Sequence, residues 1–316
     1  MDDGVAAMLQ TLNDAFPAVE RMSAAAARAA VEARRAVVSN IDDVATAEDR
    51  LIDTCAGSIA VRVYRPHGPD DALRPGVVFY HGGGFVLCDI DSHDGFCRAM
   101  SRHTGSVVVS VGYRLAPEHP APAAAEDAYG AFDWVARHAA ELGVDPLRLA
   151  VAGDSAGGNL AAVTALLCRE RGTAMPVAQV LLYPVIDPSC DTASHRRRAT
   201  GYVTTRAALQ WYWQQYLGGT ELPEPAYLVA PALAESLAGL PPAVVVTATL
   251  DPLHSEGAAY ARQLRAHGVA VLHRDFRGLF HGFLTMMPFP PAVAARDLLW
   301  SDMGELLAAR IPQEVQ

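Results

Sequence analysis

Ser155 lies between Gly153 and Gly157 in the stretch VAGDSAGGNL, residues 151–160. The run before it, RLAVAG, is short and apolar as a buried strand is, and GGNLAAVTALLCRER after it reads as a helix. Asp154, Ser155 and Ala156 therefore fall on the turn between them. Gly-x-Ser-x-Gly in that setting is a nucleophile elbow. The turn is sharp, and side chains at the two glycine positions would collide with strand and helix. The hydroxyl is pushed out above the sheet at a helix N-terminus, where free N–H groups and partial positive charge favour a developing oxyanion. The plainer alternative is a strand-to-helix turn with a capping serine. The chemistry on offer is nucleophilic acyl transfer.

A nucleophilic serine needs a base, and the base needs an acid to orient it. On a sheet of this kind the chain order is Ser, then Asp or Glu, then His. Of the eleven histidines, only His195, His254, His267, His273 and His281 follow Ser155. His195 lies in a polar stretch among arginines, with no apolar run to put it on a strand end. His254 would have to curl back on an acid three residues away. His267 ends a helix, where a surface cation suits the dipole, and His273 lies within a strand. His281 follows the last strand, in the glycine-bearing loop RGLFHGF, and is the one placed to reach over the sheet. Two acids follow strands at suitable positions: Asp251 after AVVVTATL and Asp187 after QVLLYPVI. Either can serve, and Asp251 is the preferred one.

A tetrahedral intermediate also needs donors for its oxyanion. Gly82, Gly83 and Gly84 follow the strand GVVFY, so bare backbone N–H groups there can approach a reacting carbonyl, and the N–H of Ala156 is a further donor. A phosphate-cradling loop is the rival reading. It fails because no Gly-Lys-Ser/Thr follows and no G-x-G-x-x-G opens a helix. His81 precedes the serine and is read as a structural residue that shapes the glycine loop.

The elements that must position these groups alternate. Short apolar runs (GVVFY, SVVVSV, LAVAG, QVLLYPV, AVVVTATL, VAVLHRDF) are separated by helical stretches at about 94–103, 123–142, 156–171, 255–267 and 291–310. That is an α/β pattern with a mostly parallel sheet. SIAVRVYRP alternates as a half-exposed strand. Two helices are expected before residue 45, one on the face of Val5, Met8, Leu9, Leu12 and Phe16 and an alanine-rich one over about Val19–Val38. They could form a lid or simply complete the core. Residues 188–233 interrupt the alternation with a polar, then helical, then proline-rich insertion, a natural cap.

The 316 residues carry 35 acidic and 25 basic side chains, a formal charge of −10, with 51% hydrophobic residues. A large core can be buried, and a nucleic-acid partner is disfavoured for want of a basic face. Arg196, Arg197 and Arg198 read as a solvated loop. Cys55, Cys88, Cys97, Cys168 and Cys190 are scattered without a CxxC, so reduced thiols, no metal site and a cytoplasmic protein are expected. The acidic start MDDGVAAMLQ is unlike a secretory signal, and no run is long enough to span a membrane.

Taken together, HGGG (81–84), YRLAPEHPAPAA (113–124), GDSAGGNLAA (153–162), DPLHSEG (251–257) and HGF (281–283) resemble the hormone-sensitive lipase-like family of α/β-hydrolase esterases. The resemblance runs from about residue 45 onward. It implies an eight-stranded α/β-hydrolase sheet, a Ser155–Asp251–His281 triad, and Gly83, Gly84 and Ala156 as oxyanion donors. It also implies an N-terminal helical cap (residues 1–45), a second cap segment near 190–220, and a carboxylesterase of short- to medium-chain esters that needs no cofactor. Members occur as monomers, dimers or larger assemblies, often paired through the last strand, so a homodimer is one expectation. An amidase or peptidase, a receptor that has lost its triad and an interfacial lipase are the competing readings. The chain departs from the family where His254 and Ser255 replace the usual basic and acidic residues of DPLRDEG, and where Cys88 replaces a usual glycine. Cys88 is read as a small packed side chain, with a place in the substrate pocket as the alternative. VAPALAES is a looser match to the usual serine-proline stretch.

Overall fold

The computed structural model describes residues 3–69 and 73–308. One eight-stranded sheet organises them: β1 (Thr46–Thr54), β2 (Gly57–Arg65), β3 (Arg74–Tyr80), β4 (Val107–Gly112), β5 (Val144–Asp154), β6 (Gln179–Leu182), β7 (Ala243–Leu250) and β8 (Val271–Phe280). Their spatial order is β1-β2-β4-β3-β5-β6-β7-β8. The β1–β2 and β2–β4 pairs are antiparallel and all others parallel. The helices are α1 (Asp3–Ala15), α2 (Ala24–Glu32), α3 (Asp94–Thr104), α4 (Ala123–Arg137), α5 (Ala156–Arg171), α6 (Ala193–Arg197), α7 (Arg206–Leu217), α8 (His254–Ala266) and α9 (Val293–Ala308). The expected end of the last helix, at residue 310, lies outside the described residues, as does the first dipeptide.

The central strands read as continuous apolar runs because both faces are covered. Val78 and Tyr80 of β3 belong to the half-core shared with α4, α5 and α8, while Val77 and Phe79 belong to the one shared with α3 and α9. Successive side chains alternate across the pleat, so one strand feeds two half-cores. Helix α5 is buried from Ala156 through Cys168, which is why it shows no polar stripe.

Two sequence expectations need correcting. Strand β1, TAEDRLIDT, is absent from the sequence reading, because only Ile52 in it is buried and no apolar pattern marks it. It holds its place by pairing with β2 in a register that sets Asp49 opposite Arg62, and the two side chains join as an ion pair. The alanine-rich helix is shorter than 19–38. A 3₁₀ turn occupies Val19–Arg21, Ser23 caps α2 by accepting from the Ala26 N–H at 3.2 Å, and the helix ends at Glu32. Beyond it, Arg35 is drawn onto Asp89 (2.6 Å) and Asp91 (2.9 Å), so tertiary ion pairs override a locally favourable helix. Among the described residues no helix is long and apolar enough to cross a membrane.

Candidate active site

Four segments meet at the carboxyl ends of parallel strands, where ligands of open α/β sheets bind. The glycine loop follows β3, Ser155 follows β5, Asp251 follows β7 and His281 follows β8. At Ser155 the backbone has φ 55° and ψ −115°, outside the relaxed range of an L-residue, a conformation that costs on the order of 1–3 kcal/mol. Packing holds it there. The Ser155 N–H donates to the Leu182 carbonyl at 2.8 Å. A Cβ on Gly157 would sit 1.8 Å from the Tyr80 carbonyl oxygen, and one on Gly153 would sit 2.2 Å from that of Gly157. The two glycines are required by backbone crossing backbone, which no rotamer can relieve.

The structure brings together the three residues singled out for the triad. His281 Nδ1–H donates to Asp251 Oδ2 at 2.8 Å, and the Ser155 hydroxyl donates to Nε2 at 3.0 Å. The other Asp251 oxygen accepts from the Leu253 N–H at 2.8 Å, which fixes the carboxylate. The carboxylate thus selects the tautomer whose Nε2 is free to accept a proton. Burial lowers the His281 pKa, but the adjacent Asp251 charge and hydrogen bond outweigh it, and the net direction is upward. Tyr183 packs edge-on against the imidazole, with ring centroids 4.9 Å apart.

The competing residues have other partners. Asp187 accepts from the Ser189 N–H at 2.9 Å in a local turn. His254 turns away from Asp251 and meets Asp275 at 3.0 Å, His267 stays with its own helix through the Gln263 carbonyl, and His273 meets the Thr247 hydroxyl at 2.9 Å. His195 differs most from its sequence reading. It is fully buried, in α6 rather than a loop, with Nε2 3.3 Å from the buried carboxyl of Glu256. Burial pushes Glu256 up and His195 down, so both shifts favour the uncharged forms. Arg196 and Arg197 lie exposed in the same short helix. No apolar run marks His195 as buried, so only the fold could reveal it.

The glycine loop is tied to the elbow by Asp154, a residue to which sequence reasoning gave no role. Its Oδ1 accepts from the Gly82 N–H at 2.8 Å and from His93 Nε2 at 3.1 Å. Burial raises the Asp154 pKa, but His93, the Gly82 N–H and His81 together carry it below the ordinary value. A Cβ on Gly82 would strike the same carboxylate at 2.5 Å. His81 stacks on Tyr113, 4.3 Å between centroids, and the Tyr113 hydroxyl donates to the His81 carbonyl at 2.8 Å. Burial, then the neighbouring His93, lower the His81 pKa to about 4, so it is a neutral strut beside the loop. Gly83 and Gly84 adopt φ 113° and 62° and line the cavity with Ser155, while Ala156 opens α5.

That cavity has a volume of about 200 Å3. Its wall includes Phe16 and Val31 from the N-terminal segment and Val203, Leu209, Tyr212 and Trp213 from the 188–233 insertion. Cys88 also lines it, besides packing against the core. Arg28 latches α2 to the glycine loop: Nε donates to the Val86 carbonyl and one terminal nitrogen to that of Ala116, each at 2.7 Å, and the guanidinium pairs with Glu118.

A strand-turn-helix serine, an acid and a histidine on successive strand ends, and a glycine loop beside them define an α/β hydrolase. The family described as the alpha/beta hydrolase fold matches residues 77–285. The carboxylic ester hydrolase LipN of Mycobacterium tuberculosis is 46% identical over 252 residues, 78% of this chain and 66% of that protein. The esterase LipI of the same organism is 43% identical over 77% of each chain. Among solved structures, the hyperthermophilic esterase of the archaeon Pyrobaculum calidifontis matches with a TM-score of 0.89 at 38% identity, covering 98% of this chain and 99% of that one. The chain belongs to the hormone-sensitive lipase-like esterase family of α/β hydrolases.

Proposed function

We propose that this protein is a serine carboxylesterase that hydrolyses short- to medium-chain esters through an acyl-enzyme. The observation that carries the reading is the chain of two hydrogen bonds, 3.0 Å and 2.8 Å, that runs from Ser155 through His281 to Asp251. His281 Nε2 takes the hydroxyl proton as Ser155 Oγ bonds to the ester carbonyl carbon. Asp251 stabilises the imidazolium so formed. The N–H groups of Gly83, Gly84 and Ala156 stabilise the oxyanion, each worth roughly 10²–10³ in turnover. Collapse of the tetrahedral intermediate breaks the bond to the alcohol oxygen, which receives the proton from His281. Water then enters, gives a proton to His281 and attacks the acyl carbon, and the second collapse returns the proton to Ser155 and frees the acid. The proposed caps are residues 1–45 and 188–233, which contribute the apolar wall over the serine. No step calls for a cofactor. The reading extends to a cytoplasmic protein, supported by five free cysteines. A homodimer through β8 is compatible with that strand's place at the sheet edge.

The test is hydrolysis of p-nitrophenyl esters of two to sixteen acyl carbons by wild type and Ser155→Ala. Wild type should peak at short or medium chains, and the variant should lose on the order of 10⁶ in kcat. A folded wild type inactive on every ester rejects the reading.

A further inference from the structure

A second cavity, of about 850 Å3, adjoins the one over Ser155. It lies between α1, α2, the segment after α2, and the loop that follows β8. Five residues line both cavities: Phe16, Val31, Cys88, Thr285 and Met286. They form a collar between an inner chamber that holds Ser155 and His281 and an outer one that holds neither. The inner chamber alone, about 200 Å3, falls short of the roughly 300–1,000 Å3 of small-molecule sites. With the outer chamber, about 850 Å3, the cleft comes to the upper end of that range.

The apolar part of the outer wall includes Met8, Leu12, Phe96, Leu115, Met287 and Phe289, and charged side chains of α2, of the segment after it and of the loop after β3 share the wall. Its charged side chains are engaged: Arg28 pairs with Glu118 just outside the wall, Arg35 with Glu32, Asp89 and Asp91, and Arg34 donates to the Ala30 carbonyl of α2. The chamber therefore suits an uncharged apolar chain. Within the collar, Cys88 stands apart in its backbone. Its φ is 67°, a conformation glycine adopts freely and other residues rarely do, so here a side chain is kept where backbone geometry favours none. Burial, then the nearby Asp154, push the thiol up to about 12, so it is an apolar wall rather than a nucleophile.

We propose that the two cavities are one substrate cleft, that the outer chamber takes an extended apolar arm of the ester whose carbonyl sits at Ser155, and that the collar at Cys88 sets how long an arm is accepted. This rests on the esterase reading above. The arm is either the acyl chain or the alcohol chain, and the same collar would act on both.

The experiment measures kcat/KM for two ester series, p-nitrophenyl esters of two to twelve acyl carbons and alkyl acetates of two to ten alcohol carbons. Wild type is compared with Cys88→Gly, which opens the collar, and Val31→Trp, which narrows it from α2. The readout is each enzyme's ratio of long-chain to acetyl or ethyl substrate. Each methylene newly admitted to the chamber is worth at most about fourfold. Cys88→Gly should raise the ratio at least fivefold in one series, and Val31→Trp should lower it at least tenfold in the same one. The series that responds identifies the arm. Ratios unchanged in both series, with melting temperatures showing folded variants, overturn the proposal. If wild type hydrolyses no ester, the esterase reading fails separately. The cleft is then tested by calorimetric binding of 1-decanol: tenfold weaker binding to Val31→Trp supports it, and equal binding overturns it.

Discussion

At the scale of single residues, the site rests on what His281 is bonded to. Asp251 accepts from Nδ1, so the imidazole presents Nε2 to the serine and has a raised pKa. In the proposed role of base, His281 works only when neutral. A raised pKa therefore keeps it protonated, and the enzyme inactive, to a higher pH than an ordinary histidine would. The acid limb of kcat/KM against pH should have its midpoint above 6.5, the ordinary imidazole value, since this profile reports the free enzyme. A midpoint at or below 6.5 in a pH series on a short ester would contradict this account of the site.

At the scale of elements, the glycine loop and α2 depend on each other. Arg28 reaches from α2 to two carbonyls of neighbouring segments and to Glu118, whose carboxyl it holds down at about 2. The short α2 has little stability of its own, since isolated helices under about 12 residues are marginal. Replacing Arg28 by Met keeps an apolar stem but removes every donor. We expect KM for short esters to rise severalfold with kcat changed by less than about threefold, and stability to fall by roughly 1–3 kcal/mol as partly buried carbonyls lose their partner. Steady-state kinetics with a denaturation curve checks both, and unchanged KM would remove the latch from the account.

At the scale of the whole molecule, buried histidines tie stability to pH. His81 has a folded pKa of about 4 against an ordinary 6.5, so between these values the unfolded chain binds a proton that the native protein refuses. Its contribution is therefore lost as pH falls from 6.5 to 4, at up to about 1.4 kcal/mol per pH unit. His195 and His273 are lowered by burial and act in the same direction. The raised groups oppose them: His281 stabilises below 6.5 and loses that contribution as pH rises, and Glu256 does the same from 4.5 upward. Because these terms overlap, the prediction is a difference. His81→Asn should lose less stability than wild type between pH 6.5 and 4, and parallel denaturation midpoints across that range would refute the assignment to His81.

The amino-acid sequence by itself determined the α/β alternation, the elbow around Ser155 and the choice of His281. Each rests on a local rule: short apolar runs mark strands buried in a parallel sheet, and glycines mark places where backbones must cross. Chain order then filtered the histidines. Tertiary structure alone decided the rest. Strand β1 is mostly polar, and its backbone pairing with β2 and the Asp49–Arg62 ion pair hold it there, which no periodicity announces. His195 is buried beside a carboxyl 61 residues away in sequence, and Asp154 is recruited by a loop 72 residues earlier. Helix α2 ends where Arg35 finds Asp89 and Asp91, and Cys88 gains its place in the pocket wall only when the N-terminal helices close over the strand ends. Local conformation is legible because neighbours in sequence enforce it. Pockets and buried pairs depend on which distant segments share a volume, and that is known only after the chain has folded.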